Sequence, residues 1–455
     1  MERGIGFTQL PKTFQDAMIM TRYLGINYIW IDSLCIIQDS VEDWEKESAL
    51  MDQIYSNSSC NIAAAGASDS YQGLFFDRDT CFQRLLKVET GKSVCYVLNQ
   101  SLWVSGVEQS RISRRAWVCQ ERLLSPRNLH FGTDQVFWEC NEHSACEFYP
   151  SGFPSSILTT KSKRMNPSVD GPLLREAAIL PPDPSLNAYT VWTSIVYMYT
   201  YGRLSRESDK LVAISGLAAT LQTCIGGEYL AGLWKKHLAG QLLWCVGATV
   251  QSTRPQSYVA PSWSWASVIG HIGGAGAVYY ADERDISIMI LETNVDLVSS
   301  SPFGQVKGGY IKLKGRLARA AVRHDATSYY DGKLALYVDC LVGVDIMVRR
   351  DIHVSDDQWI YNEYHDNLYC LPISSSSDTS LRIGGEVSQR GLLLQPTGGD
   401  VVGEFSRFGW FDAYGSAELA WLEEAYHHFD LMTENMDSTV YDGPKEDHEF
   451  IITII

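Results

Sequence analysis

Apolar and polar positions change their period several times along this chain, and each change marks an element. From Pro11 to Leu24, Phe14, Ala17, Met18 and Leu24 recur with Thr21 between them, which is a helical spacing. Pro11 suits a first turn and Gly25 a C-terminal stop. Residues 27–37 follow as an almost unbroken apolar run, rich in β-branched and aromatic residues and interrupted by Asp32. Such a run predicts a strand covered on both faces. Ser40-Val41-Glu42-Asp43 resembles a capping box, and Trp44, Met51, Ile54 and Tyr55 fall on one stripe of the helix it opens. Residues 59–65 predict a short buried strand. Helix–strand–helix–strand with short links predicts a parallel sheet with right-handed crossovers.

Further along, Trp117, Gln120, Glu121 and Leu124 keep helical spacing until Pro126 ends the run. Asn128 to Cys140 alternates around Gly132-Thr133 and predicts a hairpin. Pro154, Pro167, Pro172, Pro181, Pro182 and Pro184 mark residues 151–186 as a linker or long loop. Helices are expected at Ala188 to Tyr201, Lys210 to Leu221 and Tyr229 to Val246. Pro261-Ser262-Trp263-Ser264-Trp265 alternates as a strand would. Short alternating segments then recur at Ile286–Leu291, Tyr310–Leu317, Leu334–Val338, Leu368–Ile373, Gly391–Leu394 and Phe450–Ile455. The expected organisation is an α/β domain at 1–150, a linker at 151–186, a helical segment ending in the Trp-Ser-Trp strand at 187–270, and a β-rich, sandwich-like or barrel-like domain at 271–455.

Two acids stand out against this pattern. Glu47 lies three residues after Trp44, four before Met51 and seven before Ile54, so its carboxylate falls on the apolar stripe of its helix. An inward carboxylate costs free energy unless it is paired, which leaves two readings: an ion pair to an arginine such as Arg115 or Arg122, or a catalytic or ligand-binding role. Asp32, near the C-terminal end of the expected strand, would lie where open α/β sheets bind ligands. It could equally cap the next helix. Trp263 and Trp265 would share one face, either in the core or lining a ligand cleft. Cys140, His143 and Cys146 lack a fourth ligand with zinc-site spacing, and Cys119 has no assignable His–acid partner, so no metal and no thiol nucleophile is expected. The Gly-rich stretch 270–276 has neither the spacing nor the following helix of a phosphate loop.

Tyr28-Ile29-Trp30-Ile31-Asp32-Ser33-Leu34-Cys35-Ile36-Ile37-Gln38-Asp39 is similar to the central block of the fungal heterokaryon-incompatibility (HET) domain. Arg115-Ala116-Trp117-Val118-Cys119-Gln120-Glu121-Arg122-Leu123-Leu124-Ser125-Pro126-Arg127, followed by Gln135 to Cys140, is very similar to another. Arg206 to Ala218, Tyr229 to Trp234 and Ala260 to Ser267 resemble the region that follows the domain in large fungal HET proteins. The strand motif Tyr-x-x-Leu-Ser-Tyr-x-Trp-Gly that usually precedes the first helix is absent from the residues ahead of Pro11, so relative to the family the N-terminus is shortened.

This resemblance implies a remotely TIR-like, flavodoxin-like parallel sheet and a role in fungal non-self recognition and cell death. It further implies hydrolysis of an NAD-like nucleotide as the candidate activity, with Glu47 and Asp32 catalytic and Arg115, Trp117, Gln120 and Glu121 on the substrate, joined by Trp263 and Trp265. NAD enters as a substrate and no cofactor is implied; activation would involve self-association. Two other functions stay open: a HET-derived enzyme on a small molecule of specialised metabolism, and a recognition module without catalysis.

Composition narrows the setting. Hydrophobic residues make up 45% and charged residues 20% of the 455, the proportions of a folded soluble chain. A net charge of −17 argues against a nucleic-acid partner, whose phosphates need clustered Lys and Arg. No apolar run approaches spanning length and no leader-like segment follows Met1, so a cytoplasmic location is expected. The 11 cysteines read as reduced core thiols.

Overall fold

A computed structural model of the chain describes residues 4–78, 86–90, 93–97, 99, 101–153, 184–247, 251–273, 285–323, 332–338, 340–352, 364–376, 388–399, 401–434 and 449–455. Most of the expected linker, residues 154–183, lies outside them. The chain forms two compact units: residues 1–204 with 212–224, and residues 205–211 with 225–455.

The first unit opens with α1 (Lys12–Tyr23), closed by Gly25 at φ 72°, so Pro11 and Gly25 bound the helix as the sequence predicts. The predicted strand over 27–37 does not form. Residues 27–31 make no ladder, and Asp32–Cys35 is a single helical turn, α2. Asp32 accepts the Ser33 N–H at 2.7 Å, and the Leu34 and Cys35 N–H groups both bond to the Ile31 carbonyl. These local bonds turn the chain where an apolar run alone reads as a strand. Tyr28 and Ile37 are consequently exposed. Ser40 caps α3 (Val41–Ser48) through the Asp43 N–H, as expected, and a break at Ala49-Leu50 separates it from α4 (Met51–Ser56).

The sheet of this unit comprises β1 (Asn61–Ala63), β4 (Arg127–Phe131), β5 (Val136–Cys140) and β6 (Ser144–Cys146) in that order; β2 (Leu86–Thr90) and β3 (Ser93–Val97) form a separate hairpin. Only β1–β4 is parallel. The tight β4–β5–β6 links make the other pairs antiparallel, because short turns can join only antiparallel neighbours, and β4–β5 is the hairpin predicted for Asn128 to Cys140. Ala17, Leu74 and Phe131 centre the core that α1 makes with the sheet. α5 (Ala116–Leu124), α6 (Pro184–Thr200) and α7 (Ser215–Ile225) complete the unit. Buried Ala188, Val191, Trp192, Ile195 and Tyr199 give α6 its inward stripe.

In the second unit the expected helix Tyr229–Val246 is instead β7 (Tyr229–Leu230), β8 (Leu233–Trp234), the single-turn α8 (Leu238–Gln241) and β9 (Cys245–Val246), which pairs with β10 (Ile272–Gly273). Ala231 and Gly232, both at positive φ, make the β7–β8 turn. Trp263-Ser264-Trp265 is not a strand; residues 265–267 form a 3₁₀ turn capped by the Ser264 hydroxyl. The β-rich C-terminal region is present as a nine-stranded sheet: β11 (Met289–Leu297), β12 (Val306–Gly315), β13 (Ala318–Arg323), β14 (Gly332–Val338), β15 (Cys340–Arg350), β16 (Tyr364–Ser376), β17 (Ser388–Pro396), β18 (Glu404–Tyr414) and β19 (Phe450–Ile454). β17 pairs with both β16 and β18, which closes β13–β14–β15–β18–β17–β16 into a six-stranded barrel. β19, β12 and β11 continue outward from β18. α9 (Gly415–Glu434) gives Leu422, Ala425 and Tyr426 to the cluster that holds Ala320, Val348, Leu368, Leu393 and Phe411 of the barrel strands. Among the described residues no helix is long and apolar enough to cross a membrane.

Candidate functional site

α5 organises the first unit. Its N-cap, Arg115, is held by backbone pairing: Ala116 N–H donates to the Arg203 carbonyl at 3.0 Å, and Arg203 N–H to that of Arg114 at 2.6 Å. Gly202 permits this approach, since a Cβ there would lie 2.5 Å from Ala116 Cα. One turn on, buried Gln120 accepts the Gly216 N–H at 2.8 Å and ties α5 to α7. The next residues face different neighbours, Glu121 towards α4 and Arg122 towards β5.

Glu121 meets Tyr55 of α4. The two side chains interact by hydrogen bonding, and the charges of Asp32 and Arg115 act on both. Burial pushes the Glu121 carboxyl up to about 7; Asp32 adds to the rise, while Arg115 and the Tyr55 hydroxyl oppose it. Tyr55 is raised far above an ordinary phenol, first by burial and then by the negative field of Glu121 and Asp32. Trp30 packs edge-on against the Tyr55 ring at 5.8 Å between centroids. The inner pair, Tyr55 and Glu121, is thus partly covered, while Asp32 and Arg115 are exposed at the rim.

Three residues singled out in the sequence, Asp32, Arg115 and Glu121, are therefore drawn together, along with Tyr55, which the sequence offered only as a stripe position. Trp117 is half-buried on α5. Glu47 is 20% exposed and pairs with Lys46 at 3.4 Å, not with Arg115 or Arg122. Trp263 and Trp265 are buried in the second unit, where the Trp265 indole N–H donates to the Gly232 carbonyl at 2.8 Å. Burial drives the Cys119 thiol up to about 12, which keeps it from acting as a nucleophile at neutral pH. Cys146 packs with Trp103, Val107 and Phe137, and Cys140 Sγ accepts the His143 N–H at 3.3 Å.

Arg122 makes a separate, structural constellation. Its Nε and Nη2 bond the two oxygens of buried Glu139, each at 2.8 Å, and His130 Nε2 lies 3.4 Å from the same carboxylate. Glu139 is fully buried, yet Arg122 and His130 hold it well below the usual carboxylate range. The sequence reading missed this pair, although Glu139 lies two residues from Phe137 and so shares its buried face of β5.

The site thus brings the carboxyl groups of Asp32 and Glu121 together with the Tyr55 hydroxyl and the Arg115 guanidinium in a small α/β domain. Residues 2–121 match the family model described as Heterokaryon incompatibility protein (HET). The match is consistent with the resemblance of the sequence blocks to that domain, and it takes in Asp32, Glu47, Tyr55, Arg115 and Glu121. No curated protein and no solved structure matches the chain.

Proposed function

We propose that this HET-like domain acts in fungal non-self recognition and cell death by hydrolysing an NAD-like nucleotide at Asp32, Tyr55, Arg115 and Glu121. The observation that carries this reading is the carboxyl group of Glu121, poised near neutrality beside Asp32 and a guanidinium. Arg115 offers a fork for a phosphate. The Asp32 carboxylate would stabilise the oxocarbenium-like ribosyl centre as the bond from C1′ to nicotinamide breaks and its electron pair leaves with the ring. Water then adds to C1′, and Glu121 accepts its proton. A base whose pKa matches the working pH is the most effective for that transfer. Glu47, one helix away, remains a candidate for the same electrostatic part, so both acids enter the test.

The test is incubation of the purified full chain with NAD⁺ at high protein concentration with a crowding agent, followed by chromatography for nicotinamide. Release is expected, rising with pH through about 7. Glu121→Gln should lower it by roughly 10²–10⁴-fold without altering the circular dichroism. Glu47→Ala shows whether that acid contributes to the step. A folded protein that releases no nicotinamide would remove nucleotide hydrolysis and leave binding, or chemistry on another small molecule, as the role of the site.

A further inference from the structure

The second unit holds a cleft of about 660 Å³ whose lining runs from Arg254 to Ser262 and takes in Arg350, Arg407 and Phe408. That size suits a small organic ligand. Its charge runs against that of the whole chain: among the described residues three arginines and no aspartate or glutamate line it, while the protein carries −17.

Arg407 is a fixed wall. Its guanidinium is buried, stacks on the Trp244 ring with Cζ 3.6 Å from the centroid, pairs with Asp351 at 2.8 Å, and donates to the Leu242 and Trp244 carbonyls. Asp351 balances its charge. Arg254 differs. It is exposed, and its partners among the described residues are neutral: Nη1 donates to the Ser267 carbonyl (3.2 Å) and hydroxyl (2.6 Å), and Nη2 to the Arg407 carbonyl (3.1 Å). A guanidinium has five N–H donors, so these three bonds orient the group and leave donors on the Nε and Nη2 side. The Arg254 charge is close enough to Arg407 to oppose its protonation, so the two cations share one field, which Asp351 offsets from the Arg407 side. The nearby Glu207 carboxylate is engaged by the Gln256 N–H at 2.8 Å. Tyr258 at the cleft is pushed up to about 12, by burial first and Asp296 second, so its hydroxyl stays protonated and can donate. Val259, Ala260 and Phe408 supply apolar wall.

We infer that this cleft binds a small organic anion, a carboxylate or a phosphate monoester, with Arg254 as the charged anchor and the apolar wall against the ligand's carbon skeleton. An oriented guanidinium fork with donors to spare fits both head groups bidentately. The inference stands apart from the site on α5 and makes no use of it.

Calorimetric titration of the full chain with two probes, benzoate and phenyl phosphate, tests it. At least one is expected to bind saturably, with affinity falling as NaCl is raised. Arg254→Gln, which keeps hydrogen-bonding capacity but removes the charge, should weaken that binding about tenfold or more while the melting temperature stays close to that of the parent. Lys235→Gln, an exposed lysine outside the cleft, should leave binding unchanged. Benzoate alone would assign a carboxylate ligand, phenyl phosphate alone a phosphate. Failure of both probes to bind, or equal binding by Arg254→Gln, would overturn the inference.

Discussion

Glu121 places a proton where its free energy depends on folding. The group binds that proton more tightly in the folded chain, at about 7, than at its ordinary value of 4.5. Its stabilisation is therefore complete below about pH 4.5 and is lost as pH rises to about 7. Glu121→Gln, uncharged throughout, should be more stable than the parent at pH 8 by up to about 3 kcal/mol, a gain that shrinks towards pH 5. Urea denaturation at the two pH values measures it; equal differences at both would mean that Glu121 does not titrate in that window. Glu139 has the opposite sign, because Arg122 and His130 depress it; its contribution is present at neutral pH and lost on acidification below the ordinary carboxylate range. Asp32, Arg115 and Glu121 were legible in the sequence because they belong to blocks similar to a known domain. Tyr55 was not: a tyrosine on an apolar stripe looks like core, and only the approach of α4 to α5 turns its hydroxyl into part of the site.

Elements carry the next layer. α5 is fixed at both ends, by the Arg203 pairing at its start and by the Arg122–Glu139 pair towards its end. Glu139→Ala leaves a buried guanidinium unpaired and should cost about 3–5 kcal/mol in chemical denaturation, whereas replacing Arg122 and Glu139 together with Met and Leu should cost less. Gly202→Ala would push a methyl group into the Ala116 backbone. It should break the strand-like bridge, displace Arg115 and lower both the melting temperature and any nicotinamide release; an unchanged protein would show that α5 does not depend on this contact. Period and capping signals located α1, the cap of α3, α5 and the β4–β5 hairpin, because each of these is decided by neighbouring residues. Residues 27–37 misled for the converse reason. Composition favoured a strand, but Asp32 turned the backbone through its own local hydrogen bonds, and no ladder partner was there to resist.

At the scale of the molecule, closure of the barrel was beyond the reach of the sequence. The β-rich character of the C-terminal region was legible in its alternation, yet β13, β15, β18 and the twenty-residue α9 were not singled out, since their burial follows from a ring of pairings far apart in the chain. Tyr426 is the largest of the buried side chains that α9 gives to that ring. Tyr426→Ala should cost about 3–5 kcal/mol and speed hydrogen exchange together in the strands of the barrel; loosening confined to α9 would show that helix and barrel open independently. β19 carries a different consequence. It lies between β12 and β18, yet from Gly315 to Phe450 the chain runs through roughly 135 residues. At a synthesis rate of about 5–20 residues per second, a ribosome needs roughly 7–27 s to cover that stretch. For that time β12 waits with one edge unmatched beside others like it on the same polysome. The sheet order thus sets a clock on biosynthesis, and slower elongation would lengthen the interval in which nascent chains can pair with one another instead of with themselves.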